Sequence, residues 1–202
     1  MNIPPLTLTL GQVAWILALG QEPKRHMLDK LNYLRQLGIP FEQGQRQLGS
    51  GNRVSYSYAE MVEMGVGLWG LMHGVKPSVI TKFLIGQRTS LRDLYVQALL
   101  ELPPTALDAP WVRSRGKSGA VRENDILLRL HDMYDKPLGK FEVVFQKDLQ
   151  NSSFDQFVNT VEITGLGSPK LLMPLTTMAI QWLAWALQAP PIRPGRRACK
   201  GG

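Results

Sequence analysis

Cysteine is nearly absent from this chain: one residue in 202, Cys199. A single thiol forms no intramolecular disulfide and no Cys-based zinc site, and it fits a reducing, cytoplasmic compartment. Histidine is almost as scarce. His26, His73 and His131 stand far apart in sequence, in no metal-ligand spacing. The one glycine–lysine loop, "GKSG" at 116–119, lacks the first glycine and the spacing of a phosphate-binding loop and reads as a flexible basic segment. Asp125, Asp132 and Asp135 fall on or near one expected helix and read as a solvated face, not as paired catalytic carboxylates. These absences leave no catalytic constellation, so neither an enzyme, nor a cofactor, nor a metal is expected. The uncharged start, Met1 to Gln21, has no basic region before it and carries Pro4 and Pro5, so it reads as mature protein, not as a signal peptide.

Acidic residues are also in deficit. Sixteen Asp/Glu stand against 23 Lys/Arg, giving a net charge of +7 and a sequence pI near 9.7. The excess is spread out: residues 1–100 hold ten Lys/Arg and six Asp/Glu, and 101–202 hold thirteen and ten. Such a balance favours a polyanionic partner, a nucleic acid or an acidic membrane surface. With 44% hydrophobic residues the chain has material for a real core. One stretch, 171–192, has no charge at all: "LLMPLTTMAIQWLAWALQAPPI". Its prolines, threonines and glutamines read as a buried helix of a globular domain, and no membrane contact is expected. Trp182 and Trp185, with Met173 and Met178, are candidate walls of a small-molecule pocket, although core packing is the ordinary role of such residues.

The periodicity predicts two short helices at the start. The first follows a candidate N-cap, Thr9, and ends at Gly20; the second has Met27, Leu28, Leu31, Leu34 and Leu37 on one face and is stopped by Gly38 and Pro40. The other face of the second helix offers Arg25, His26, Lys30, Asn32, Tyr33 and Arg35. A hairpin with its tip near Gly49–Asn52 is expected next, ending in alternating Val54, Tyr56 and Tyr58. Ser57 and Glu60 form a capping box for a third helix, whose four glycines between 65 and 74 predict close packing against a neighbour. Shorter helices are expected over 76–86 and about 90–102. Beyond the prolines at 103 and 104, "NDILLRLHDMYD" reads as a helix, and "KFEVVFQ" and "NTVEITGL" read as strands.

Helix, turn, helix and ribbon in that order describe a winged helix-turn-helix, an arrangement suited to a DNA groove and its flanking phosphates. Four segments carry a resemblance to a known family: "LGQVA" at 10–14, "YLRQLGI" at 33–39, "GNRVSYSYAEM" at 51–61 and "GVKPSVITKFL" at 74–84. In that order they resemble the DNA-binding domain of the MerR family of transcription regulators, over residues 7–85. The pattern departs at Asn32 and Arg35, where the family carries Arg and Glu, and at the Arg53-to-Tyr56 spacing, which is one residue longer. No long dimerisation helix and no metal-sensing cysteines follow.

The expected fold class is α+β: the resemblance implies a winged-helix domain within 1–102, the prolines at 103 and 104 and the helix and strand patterns after them predict a smaller mixed α+β domain over 103–190, and composition predicts a disordered basic tail over 191–202. The resemblance implies a sequence-specific regulator, a homodimer on double-stranded DNA. The recognition helix, about 26–37, lies in the major groove, and the wing, 41–58, lies on the backbone. Candidate DNA contacts are Arg25, His26, Lys30, Asn32, Tyr33, Arg35, Arg46, Asn52, Arg53 and Tyr56. The C-terminal domain is expected to dimerise or to meet a protein or small-molecule effector. An architectural DNA-binding protein, an excisionase-type recombination factor or a partition accessory, is the alternative.

Overall fold

The computed structural model describes residues 5–41, 54–100, 126–130, 141–145 and 171–191. Among them are six helices: α1 (Leu10–Leu17), α2 (Arg25–Gln36), α3 (Tyr58–Met72), α4 (Pro77–Gly86), α5 (Arg88–Leu100) and α6 (Leu175–Ala186). Three short strands, β1 (Ile126–Leu130), β2 (Phe141–Phe145) and β3 (Leu171–Met173), form an antiparallel sheet in the order β2-β1-β3.

Local chemistry sets the helix ends. Thr9 caps α1, accepting from the Gln12 amide at 3.3 Å, while the Gln12 side chain accepts the Thr9 amide at 2.9 Å. The same reciprocal pair opens α3: the Ser57 amide donates to Glu60 at 2.7 Å, and the Glu60 amide donates to the Ser57 hydroxyl at 3.5 Å. Each pair satisfies helix-end donors that water would otherwise have to serve. Pro77 sits in the first turn of α4, where a missing N–H costs nothing. Gly38, with φ +89°, turns the chain out of α2, and the Ile39 amide closes back onto the Leu34 carbonyl at 3.0 Å.

The core is one continuous cluster. Val13, Ala14 and Ile16 of α1, Leu31 and Leu34 of α2, Met61 and Met64 of α3, Ile80 and Leu84 of α4, and Tyr95 and Leu99 of α5 meet Leu175, Ile180, Trp182 and Leu183 of α6. Burying one such aliphatic side chain contributes about 1.5–3 kcal/mol, so α6 is an integral wall of the core. It packs on α1, α3 and α5. The described C-terminal helix therefore shares the core of the N-terminal helices across the expected boundary at residue 102. Residues 192–202 of the expected tail lie outside the described residues.

The glycines of α3 explain how the helices come so close. A Cβ on Gly65 would lie 2.4 Å from the Trp182 ring, one on Gly67 3.1 Å from Leu34, and one on Gly70 3.1 Å from Ile80. The close packing expected of this helix is thus present at three of its glycines.

The expected α+β class does not hold. The core is built chiefly by the six helices, with Ile126, Leu128 and Met173 of the short strands added at its edge, and among the described residues no ribbon stands beside α2. Residues 42–53, most of the expected wing, lie outside the described residues. The arm that follows makes a single bridge, Leu8 to Tyr56, with N–O distances of 3.0 and 2.8 Å. The alternation of Val54, Tyr56 and Tyr58 arises because Tyr56 and Tyr58 both enter the helical core, at 1% and 4% exposure. A second correction concerns "ILLRL" at 126–130, which is strand β1 and not helix. Its buried residues, Ile126 and Leu128, recur at a period of two. The β1 strand is anchored to α6 where the Ile126 amide donates to the Thr176 hydroxyl at 2.8 Å.

The long apolar segment divides into β3 and α6, and α6 is buried as expected. Among the described residues no helix is long and apolar enough to cross a membrane.

Candidate nucleic-acid interface

Helix α2 lies with Leu31 and Leu34 fully buried and its opposite face in solvent. At 100° per residue, Arg25, Asp29, Asn32, Tyr33 and Gln36 fall on one stripe, and all five are exposed. His26 is exposed at the edge of that stripe, and Tyr33 is 42% exposed despite its ring.

The flanking cations differ in what they can do. Arg35 is half-buried and donates to the Asn32 side-chain oxygen at 3.4 Å, one helical turn away. Lys30 is drawn under α2, where its Nζ donates to the Leu71 carbonyl at 3.4 Å. It serves the carbonyl end of α3, a favoured place for a cation, and is not presented on the outer stripe with Arg25.

The start of α2 is electrostatically inverted. Lys24 caps it without a side-chain hydrogen bond, Arg25 follows, and the first turn holds no acidic residue. Positive charge at the positive end of a helix is unfavourable by a few tenths of a kcal/mol to about 1 kcal/mol. Such an end, with amides and cations together, is chemically suited to a phosphate.

The remaining candidates are placed as follows. Arg46, Asn52 and Arg53 lie outside the described residues. Tyr56 is 1% exposed, packed against Phe41 with ring centroids 5.3 Å apart, so it is a core residue and cannot touch a nucleic acid. Asp29 and Gln36, which are not among the expected contacts, share the exposed stripe, as a helical wheel of 25–36 places them. His73 stacks on Trp69 at 4.4 Å and its Nδ1 lies 2.8 Å from the Trp69 carbonyl oxygen. Asp125, Asp132, Asp135, His131 and the 116–119 loop lie outside the described residues. Among the described residues no group of His, Cys, Asp and Glu could hold a metal ion.

Behind α2 lies a charged knot. Glu63, 1% exposed, accepts from Arg88 Nε at 2.9 Å and from Arg92 at 3.3 Å. Arg88 also donates to the Gly38 carbonyl at 2.9 Å, and Arg92 to the Pro40 carbonyl at 3.4 Å. One carboxylate on α3 and two guanidinium groups on α5 thereby hold the turn that ends α2. Burial pushes the Glu63 carboxyl above the usual carboxylate value, while Arg88 and then Arg92 pull it back. Burial also raises the phenols of Tyr58 and Tyr95. Tyr58 donates to the Tyr95 carbonyl at 3.1 Å.

A cleft of about 300 Å³ opens on the α1 side of α2, among α1, α2, α3 and α6. His26 and Met27 reach it from α2, and Trp182 and Met178 from α6. Trp182 and Met178 were among the candidate pocket residues. Trp185 instead packs edge-on against Trp15 at 5.5 Å, and Met173 is fully buried.

No protein-family model, no curated protein and no solved structure matches the chain.

Proposed function

We propose that the protein binds double-stranded DNA as a sequence-specific transcription regulator, with α2 as its reading helix and two protomers on paired half-sites. The observation that carries this reading is the exposed stripe of α2: Arg25, Asn32, Tyr33 and Gln36 beginning at an uncapped, doubly cationic helix start. A helix of 12 residues is about 18 Å long and fits a major groove. Asn and Gln can pair bidentately with adenine, Arg with guanine or phosphate, and Tyr with phosphate through its hydroxyl. Asp29 would accept from cytosine and repel phosphate, so it favours selectivity over affinity. The net charge of +7 and the resemblance of residues 10–14 and 33–39 to MerR-type regulators point the same way.

The test is selection from a randomised duplex pool, followed by anisotropy titration at moderate salt. A preferred site should emerge. Asn32→Ala should reduce discrimination at one base position by roughly 1–3 kcal/mol. Arg25→Ala should weaken all sequences alike and flatten the salt slope by about one unit. Binding no tighter to the selected site than to random DNA would end the sequence-specific reading. Marked bending over tandem, phased sites would place the chain among architectural DNA-binding proteins instead.

A further inference from the structure

The cleft among α1, α2, α3 and α6 has a composition that specifies a ligand. Its inner wall is apolar and aromatic: Trp182 and Trp69 supply rings, and Met27 and Met178 supply polarizable thioethers. Leu17 and Leu68 complete that wall. Trp182 lies directly over Gly65, where a Cβ would approach its ring to 2.4 Å. The absent side chain fixes how deeply the ring sits and leaves the wall smooth beside it. Thioethers adapt their shape to flat rings, and aromatic walls favour aromatic guests.

The mouth carries Glu22 and Lys24, both exposed and of opposite sign. Their fields oppose one another in solvent, and Arg25, the second cation of the α2 start, does not line the cleft, so the mouth has little preference for a charged guest. Gln21 and the exposed His26 ring, which also line the cleft, are the neutral-capable hydrogen-bonding groups for the edge of a guest. A volume near 300 Å³ stands at the small end of ligand pockets and accommodates two or three fused rings.

We propose that this cleft is a binding site for an uncharged, flat aromatic molecule of two or three fused rings carrying at most one hydrogen-bonding group at its edge. The proposal does not rest on any action on DNA and its test contains none, although Lys24 and His26 stand both at this cleft and beside the α2 stripe.

The full chain is titrated calorimetrically with 2-naphthol, and with 2-naphthoate and 2-naphthylmethylammonium as matched bodies of negative and positive charge. Saturable binding of one naphthol per chain is expected, at least tenfold tighter than either charged probe. Ala18→Trp and Met72→Trp each place a ring in the cleft from a partly exposed or exposed position. Each should weaken naphthol binding at least tenfold, with the thermal transition retained as the check on folding. No saturable binding of naphthol to the unsubstituted chain would overturn the proposal. So would a charged probe that binds as tightly, or folded Trp variants that bind naphthol unchanged.

Discussion

Among the described residues, Glu63 is the one on which the ion-pair chemistry turns. It is the only Asp, Glu, Lys or Arg between positions 61 and 75, in a helix that is otherwise apolar almost all round. That isolation is visible in the sequence and marks it as a buried charge in need of partners. The partners are not visible there, because Arg88 and Arg92 are 25 and 29 residues away and meet it only through folding. Burial raises its pKa above the ordinary 4.5, so the folded chain keeps this proton to higher pH than the unfolded chain. The stability that Glu63 contributes is therefore fully present below that ordinary value and declines as pH rises through the folded value. Glu63→Gln removes the titration while keeping an acceptor for Arg88. The difference in unfolding free energy, native chain minus variant, should fall as the pH is raised from 4 towards neutrality, as read by urea melts at stepped pH. A rising difference would show that the two guanidinium groups outweigh burial. Tyr56 teaches a related lesson. Its hydroxyl and its place beside Arg53 suggest a surface role, but its 1% exposure shows that ring burial decided the matter.

At the scale of elements, what was legible was what is local. The caps at Thr9 and at Ser57 with Glu60, the stop at Gly38 and the apolar faces of α1 to α4 all follow from residues within a turn of each other. The expected wing and helical character at 126–130 fail for the reverse reason. Alternation at 54–58 and the apolar run at 126–130 each fit two structures, and distant packing selects between them. Helix α3 gives the quantitative case. Gly65→Ala adds about 1 kcal/mol of helix propensity. Its new Cβ would nonetheless meet Trp182 at 2.4 Å, and overpacking of this kind costs about 1–3 kcal/mol. A net loss of stability is expected in urea, with a shift in tryptophan emission as the Trp182 ring is displaced. Unchanged emission and a gain in stability would mean that α6 yields freely.

At the scale of the whole molecule, α6 is the element that sequence order conceals. A domain boundary near 102 follows from the prolines at 103 and 104 and from the basic loop after them. The packing runs otherwise: Trp182 seats on Gly65, Trp185 on Gly20 (φ +77°), and Gln12 Nε2 donates to the Pro190 carbonyl at 2.9 Å. A fragment of residues 1–102 should accordingly lose most of its near-ultraviolet dichroism and its cooperative urea transition. The full chain should unfold α1 to α6 in one step. A fragment with the stability of the full chain would restore the boundary.

The pairing of two glycines early in the chain with two tryptophans late in it also has a consequence for synthesis. Chains are made at roughly 5–20 residues per second. Helices α1 to α5 thus wait on the order of ten seconds beside the ribosome before α6 exists to cover them. During that interval the seats of Trp182 and Trp185 present bare helix backbone and open aliphatic surface to the surrounding solvent. Nascent-chain chaperones recognise such surface, and the synthesis of the stretch between α5 and α6 becomes the period in which these helices are most vulnerable to association with other unfinished copies.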